Sequence, residues 1–136
     1  MTKKPKVLWL TNTHLPDIAQ EFGLKVNPSS GWLTGAFSKI KESKSVDLTV
    51  CFPLNEQLVY KKVSKNDVSF YGFTHPGVYK EDLSELILVF KKIISIENPD
   101  IVHIFGTEYP HSLAMVKAFG NKDRTVIGIQ GLCSVY

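Results

Sequence analysis

Residues 83–105, LSELILVFKKIISIENPDIVHIF, decide the fold, because the hydrophobic period changes inside them. Leu83, Leu86, Ile87, Phe90, Ile93 and Ile94 recur every three or four positions, the wide apolar stripe of a helix lying on a core. Glu81 and Asp82 in the first turn, with Lys91 and Lys92 further along, suit the helix dipole, and the helix is predicted over Lys80–Glu97. Asn98 and Pro99 stop it. Ile101–Phe105 (IVHIF) then runs without alternation, as a strand covered on both faces does. A helix feeding such a strand is half of a βαβ unit.

The same grammar extends to both sides. Lys6–Thr11 (KVLWLT) reads as a buried first strand and Val46–Phe52 (VDLTVCF) as a second. Between them, Trp32, Leu33, Ala36, Phe37 and Ile40 lie on one face of a helix opening near Ser30 or Gly31. Leu58–Val63 and Val68–Phe73 suggest an inserted hairpin with a four-residue turn. Beyond Phe105, a helix starts at Pro110 and ends at Gly120, and Thr125–Gln130 forms the last strand. This alternation predicts an α/β, Rossmann-like, doubly wound and mostly parallel sheet with an inserted β-hairpin.

Composition agrees. The 136 residues are the size of one domain, able to bury roughly two-thirds of the unfolded surface without metal or disulfide staples. With 43% hydrophobic and 21% charged residues, the chain is ordinary globular. No apolar run approaches a membrane span, and the stretch Val7–Leu10 behind the basic N-terminus is too short for a secretory leader. A cytoplasmic location is the expectation. Net charge +3, spread without a basic run, disfavours nucleic acid. Cys51 and Cys133 read as buried, reduced thiols.

In such sheets, ligands sit beyond the carboxyl ends of the strands. The polar tips gathered there are Asn12, Thr13 and His14, then Pro53, Leu54 and Asn55, then Gly106, Thr107, Glu108 and Tyr109 with His111 nearby, then Gln130 and Gly131. The loop Asn12–Ser30 is long enough to be functional, and Ser30, Gly31 and Trp32 open a helix whose free N–H groups favour an anion. Each has a plainer reading: Gly31 as a helix start, Glu108 as a charge matched to a helix dipole, His14 as a solvated loop residue. His103, amid an apolar strand, reads as a hydrogen-bonded core histidine. GxGxxG and GxxxxGK[ST] loops are absent, as are HExxH and Cys/His metal spacings, which disfavours NAD, P-loop hydrolysis and a metal. No nucleophile–base pair can be named, so the catalytic residues are unknown from the residues alone.

Taken together, KVLWLTNTHLPD, SSGWLTGAF, NPDIVHIFGTEYPHSLA and TVIGIQGL, in this order and spacing, resemble the N-terminal domain of GT-B glycosyltransferases, most closely family 4, or group 1. The resemblance runs from about Lys6 to the C-terminus. It implies residues 1–136 as the acceptor-side domain of a retaining transferase that moves sugar from a nucleotide sugar, such as a UDP- or GDP-sugar, to a hydroxyl acceptor without metal or other cofactor. It implies a donor-phosphate loop at Ser30, Gly31 and Trp32. Acceptor or sugar contacts are implied at Asn12, Thr13, His14, Thr107, Glu108, Tyr109, His111, Gln130 and Gly131. Ser-Ser-Gly departs from the paired glycines of many relatives, and Gln130 stands where many carry histidine. A nucleotide-binding C-terminal domain, the chain's own partner, is missing from these residues, which alone are expected to be inactive. Bacterial surface polysaccharide synthesis is the implied setting, with a glycan or lipid-linked acceptor and peripheral contact at the inner face of the membrane. The alternative is a free-standing, non-catalytic α/β module that binds a small anion.

Overall fold

The computed structural model describes residues 3–26, 31–56, 58–75 and 82–128. Six strands form one sheet: β1 (Lys6–Leu10), β2 (Asp47–Leu54), β3 (Lys61–Lys65), β4 (Val68–Thr74), β5 (Ile101–Phe105) and β6 (Thr125–Gly128), in the order β3-β4-β2-β1-β5-β6. β3 and β4 are antiparallel, and every other neighbouring pair is parallel. The mostly parallel, doubly wound α/β fold is therefore the one expected from sequence.

The helices α1 (Pro16–Ala19), α2 (Gly31–Ser43), α3 (Ser84–Glu97) and α4 (Pro110–Phe119) divide between the two faces. One face buries Trp9, Phe52 and Phe70 against Ile18, Leu33 and Phe37 of α1 and α2. The other buries Leu8, Leu10 and Phe73 against Phe90, Ile93 and Met115 of α3 and α4. Successive β1 residues thus point into opposite cores, as the strand pleat demands. Sheet order reverses at β1: the chain moves outward to β2 and β4, then recrosses through α3 to β5 on β1's other side.

Three local expectations need correction. Strand β3 occupies Lys61–Lys65, not Leu58–Val63, and the hairpin turn is the two residues Asn66 and Asp67 rather than four. Both have positive φ (52° and 66°), the mirror-image turn that Asn and Asp tolerate and that matches strand twist. Helix α3 begins at Ser84, later than Lys80, because Asp82 accepts hydrogen bonds from the Ser84 N–H (3.0 Å) and hydroxyl (2.6 Å). The loop after β1 holds the short helix α1, with Pro16 at its first position. The far end of α3 behaves as expected: Asn98 is left-handed and donates its N–H to the Ile94 carbonyl at 2.7 Å. Residues 129 and 130, assigned to the last strand from sequence, and Cys133 lie outside the described residues.

The two sheet edges differ. β3 carries Lys61, Lys62 and Lys65; Lys61 and Lys65 reach the α1 segment, at the Glu21 carbonyl (3.2 Å), the Asp17 carbonyl (2.8 Å) and the Glu21 carboxylate (2.9 Å). β6 carries no charge, and its Val126 and Ile127 are exposed on opposite faces.

Beneath α3, the buried Tyr71 donates its hydroxyl to Glu97, which also accepts from Lys62 (3.1 Å) and Thr49 (3.3 Å). These donors hold the Glu97 carboxyl below its usual range despite burial. Cys51 is buried and unpaired, and desolvation pushes its thiol well up. Tyr71→Phe is expected to cost about 1.5–3 kcal/mol in urea unfolding, the worth of one hydrogen bond to a charged group. No helix among the described residues is long and apolar enough to cross a membrane.

Candidate functional site

At the switch point, the tips of β1 and β5 stand side by side, and Asn12 ties them together. Its amide nitrogen donates to the Phe105 carbonyl (3.0 Å) and to the Glu108 carboxylate (3.2 Å). Its carbonyl oxygen lies 2.7 Å from His111 Nε2. With the amide nitrogen committed to two acceptors, that oxygen must accept, so Nε2 carries the imidazole proton. Nδ1 is then a bare lone pair, buried and without a hydrogen-bond partner. Burial, and secondarily the nearby His75, lower the His111 pKa to about 4, so the ring is neutral at ordinary pH.

The backbone around this clasp is fixed. Gly106 turns the chain out of β5 at φ +91°, its N–H donating to Gly128 (2.7 Å) and its carbonyl accepting from the Ser112 hydroxyl (3.0 Å). A Cβ there would stand 2.2 Å from Glu108 Oε2, so the absent side chain is what lets the carboxylate fold back onto Asn12. On the β1 side, buried Thr11 donates its hydroxyl to the Thr13 carbonyl at 2.8 Å and shapes the loop.

These residues floor a cleft of about 340 Å³ lined by Thr11, Asn12, Thr13, Trp32, Leu33, Phe105, Glu108 and Tyr109. Trp32, in the first turn of α2, is 51% exposed and leans on Phe105, ring centroids 5.7 Å apart. Tyr109, just before α4, is 36% exposed and lies nearly parallel to His111, with the His75 ring edge-on to it. One wall thus belongs to the first turn of α2, the other to Glu108 and Tyr109 in the turn that leads into α4.

Of the residues singled out from sequence, Asn12, Thr13, Trp32, Glu108 and Tyr109 meet in this cleft. Gly31 opens α2 beside Trp32, with open space where a Cβ would stand. Thr107 is exposed on the same turn. His111 is fully buried behind Asn12, which places it as a support of the cleft rather than a wall. His14 turns away, its Nε2 2.5 Å from the Lys25 carbonyl and its ring against Phe52, so it braces the long loop. Ser30, Gln130 and Gly131 lie outside the described residues. His103 stacks on Phe105 at 4.2 Å and meets Trp9 edge-on, so rings rather than a hydrogen-bonding core surround it. Sequence reasoning placed Gly106 in a polar tip but missed its part in letting Glu108 fold back, and it missed the lining role of Phe105 and Leu33. A glycine closing an apolar strand, two residues before a carboxylate, was the signal available for Gly106.

The geometry matches one Rossmann-like half of a GT-B architecture. A solved structure described as trehalose-6-phosphate from E. coli bound with UDP-2-fluoro glucose superposes with a TM-score of 0.53 at 16% identity, over 91% of this chain and 32% of that one. At that identity the likeness is one of fold, and the chain spans about a third of the length of the structure it matches. No protein-family model matches the chain, and no curated protein is similar enough to it to count as a match.

Proposed function

We propose that this chain is the acceptor-side, N-terminal domain of a family 4-like retaining glycosyltransferase that moves a sugar from a nucleotide sugar to a hydroxyl acceptor, in bacterial surface polysaccharide synthesis. The observation that carries this reading is the Asn12–Glu108 clasp at the switch point, flooring a cleft of about 340 Å³. The carboxyl edge of a parallel sheet is where such folds bind ligands, and ligand clefts favour the junction between domains. The shared fold with a structure that binds a UDP-sugar adds to it. On this reading, the start of α2 at Gly31 approaches the donor, Trp32, Glu108 and Tyr109 line the acceptor's place, and a second nucleotide-binding domain closes the site. The alternative, a small-anion module, is weaker, because the cleft's described lining holds a carboxylate and neither lysine nor arginine.

The test compares the 136-residue chain with a protein in which it is followed by a second Rossmann-like domain, using calorimetry and turnover with several UDP- and GDP-sugars. Binding and turnover are expected only with both domains. Turnover by the chain alone at the rate of the two-domain protein, or no nucleotide-sugar binding by the latter, overturns the assignment.

A further inference from the structure

The proposed reading leaves the acceptor's chemistry open, and the charges and rings of the cleft narrow it. Two helix N-termini face the cleft, those of α2 and α4, each equivalent to roughly half a positive charge. Against them stands one full negative charge, the Glu108 carboxylate, held by Asn12. These contributions nearly cancel, and no lysine or arginine among the described lining residues shifts the balance. A phosphate or carboxylate entering here would stand beside the Glu108 carboxylate with no side-chain cation among the described lining residues to compensate.

The walls point the same way. Trp32 and Tyr109 both expose ring surface to the cleft, and each is backed by another ring, Phe105 and His111 respectively. A backed ring loses little freedom when something rests on it. The C–H-bearing face of a pyranose is flat and apolar, and its hydroxyls project at the rim. It therefore rests on aromatic rings and offers O–H donors to a carboxylate that only accepts. A carboxylate accepts several hydrogen bonds, so Glu108 retains capacity beyond its bond from Asn12, and charge-assisted O–H···O⁻ bonds are the strong kind.

Resting on the transferase reading above, we infer that the cleft takes a neutral, unphosphorylated hexopyranose unit, held between Trp32 and Tyr109 with its hydroxyls on Glu108. The acceptor of this protein is accordingly an uncharged sugar residue at the point of attachment.

The experiment titrates the 136-residue chain with neutral methyl hexosides, with hexose 6-phosphates and with inorganic phosphate, following tryptophan fluorescence and the Tyr109 ring resonances. At least one neutral hexoside is expected to bind at about millimolar concentration, and its phosphorylated counterpart at least about tenfold more weakly. Glu108→Gln is expected to reverse that order: neutral binding falls about tenfold for want of a charged acceptor, while phosphate binding strengthens as the helix N-termini are unmasked. A variant that merely unfolds loses both ligands and cannot produce the reversal. Stronger binding of the sugar phosphate by the unaltered chain overturns the inference and leaves the transferase reading standing. Response to inorganic phosphate alone overturns both in favour of an anion module. No response to any ligand up to about 10 mM overturns the inference, and the transferase reading then rests on the nucleotide-sugar experiment.

Discussion

Lowering the pH from about 7 to below 4 is expected to remove on the order of 3 kcal/mol of folding stability through His111 alone. The ordinary histidine value is 6.5, and burial lowers the folded value to about 4. Between these, the unfolded chain binds the proton more readily than the folded one, so stability rises with pH across that window. The contribution is complete above about 6.5 and disappears as pH falls through 4. The structural cause is the buried Nδ1: among the described residues a second proton there finds no acceptor, and it sits near the His75 ring. Urea midpoints measured along this range should fall steeply for the natural chain and much less for His111→Gln, whose amide can still donate to Asn12. His103 shifts in the same direction through its own burial, so some slope persists in the variant. Equal slopes in the two proteins would remove His111 from the account.

Gly106→Ala is expected to cost about 1–3 kcal/mol, the usual toll of a side chain forced into a φ of +91°. Its backbone cannot relax, because Gly128 and Ser112 hold both peptide groups. The new methyl would also meet Glu108 Oε2 at 2.2 Å, and here relief is easy: the carboxylate swings out and leaves Asn12. The variant should therefore lose part of its stability and nearly all of its ligand response in the cleft. Adding Glu108→Ala to Gly106→Ala separates the two effects. The double variant should be no less stable than Gly106→Ala, since the backbone strain stays while the clash goes. A single Gly106→Ala protein with unchanged urea midpoint and unchanged ligand response would contradict both halves of the argument.

How far the sequence reaches depends on the range of the force involved. The apolar stripe of α3 and the uninterrupted IVHIF of β5 are set by burial, which repeats along the chain and is legible there. The carboxyl edge of the sheet followed from that alternation, and with it the edge where Asn12 and Glu108 meet across 96 positions, while the strand order that puts the switch point at β1 is set by pairing between distant segments. The β3–β4 turn was misjudged because two adjacent left-handed residues cost little when they are Asn and Asp, which lets the strands run closer to the tip than apolar residues alone suggest. His111 illustrates the opposite limit. Its residue type announced chemistry, but only packing could show that it lies behind Asn12 and acts through it. The roles of His14 and His103 were likewise decided by partners distant in sequence, the Lys25 carbonyl and the rings of Trp9 and Phe105.

The contrast between the outer strands gives the sheet a direction of growth. On the β3 side, three ammonium groups would have to be stripped of water before another backbone could pair, and two of them would have to let go of the α1 segment. On the β6 side, pairing would strip water from no charged strand residue and would cover Val126 and Ile127 as it went. Among the described residues, then, the β6 border is the one at which an added strand is expected, and the lysine-bearing border is the one that resists it.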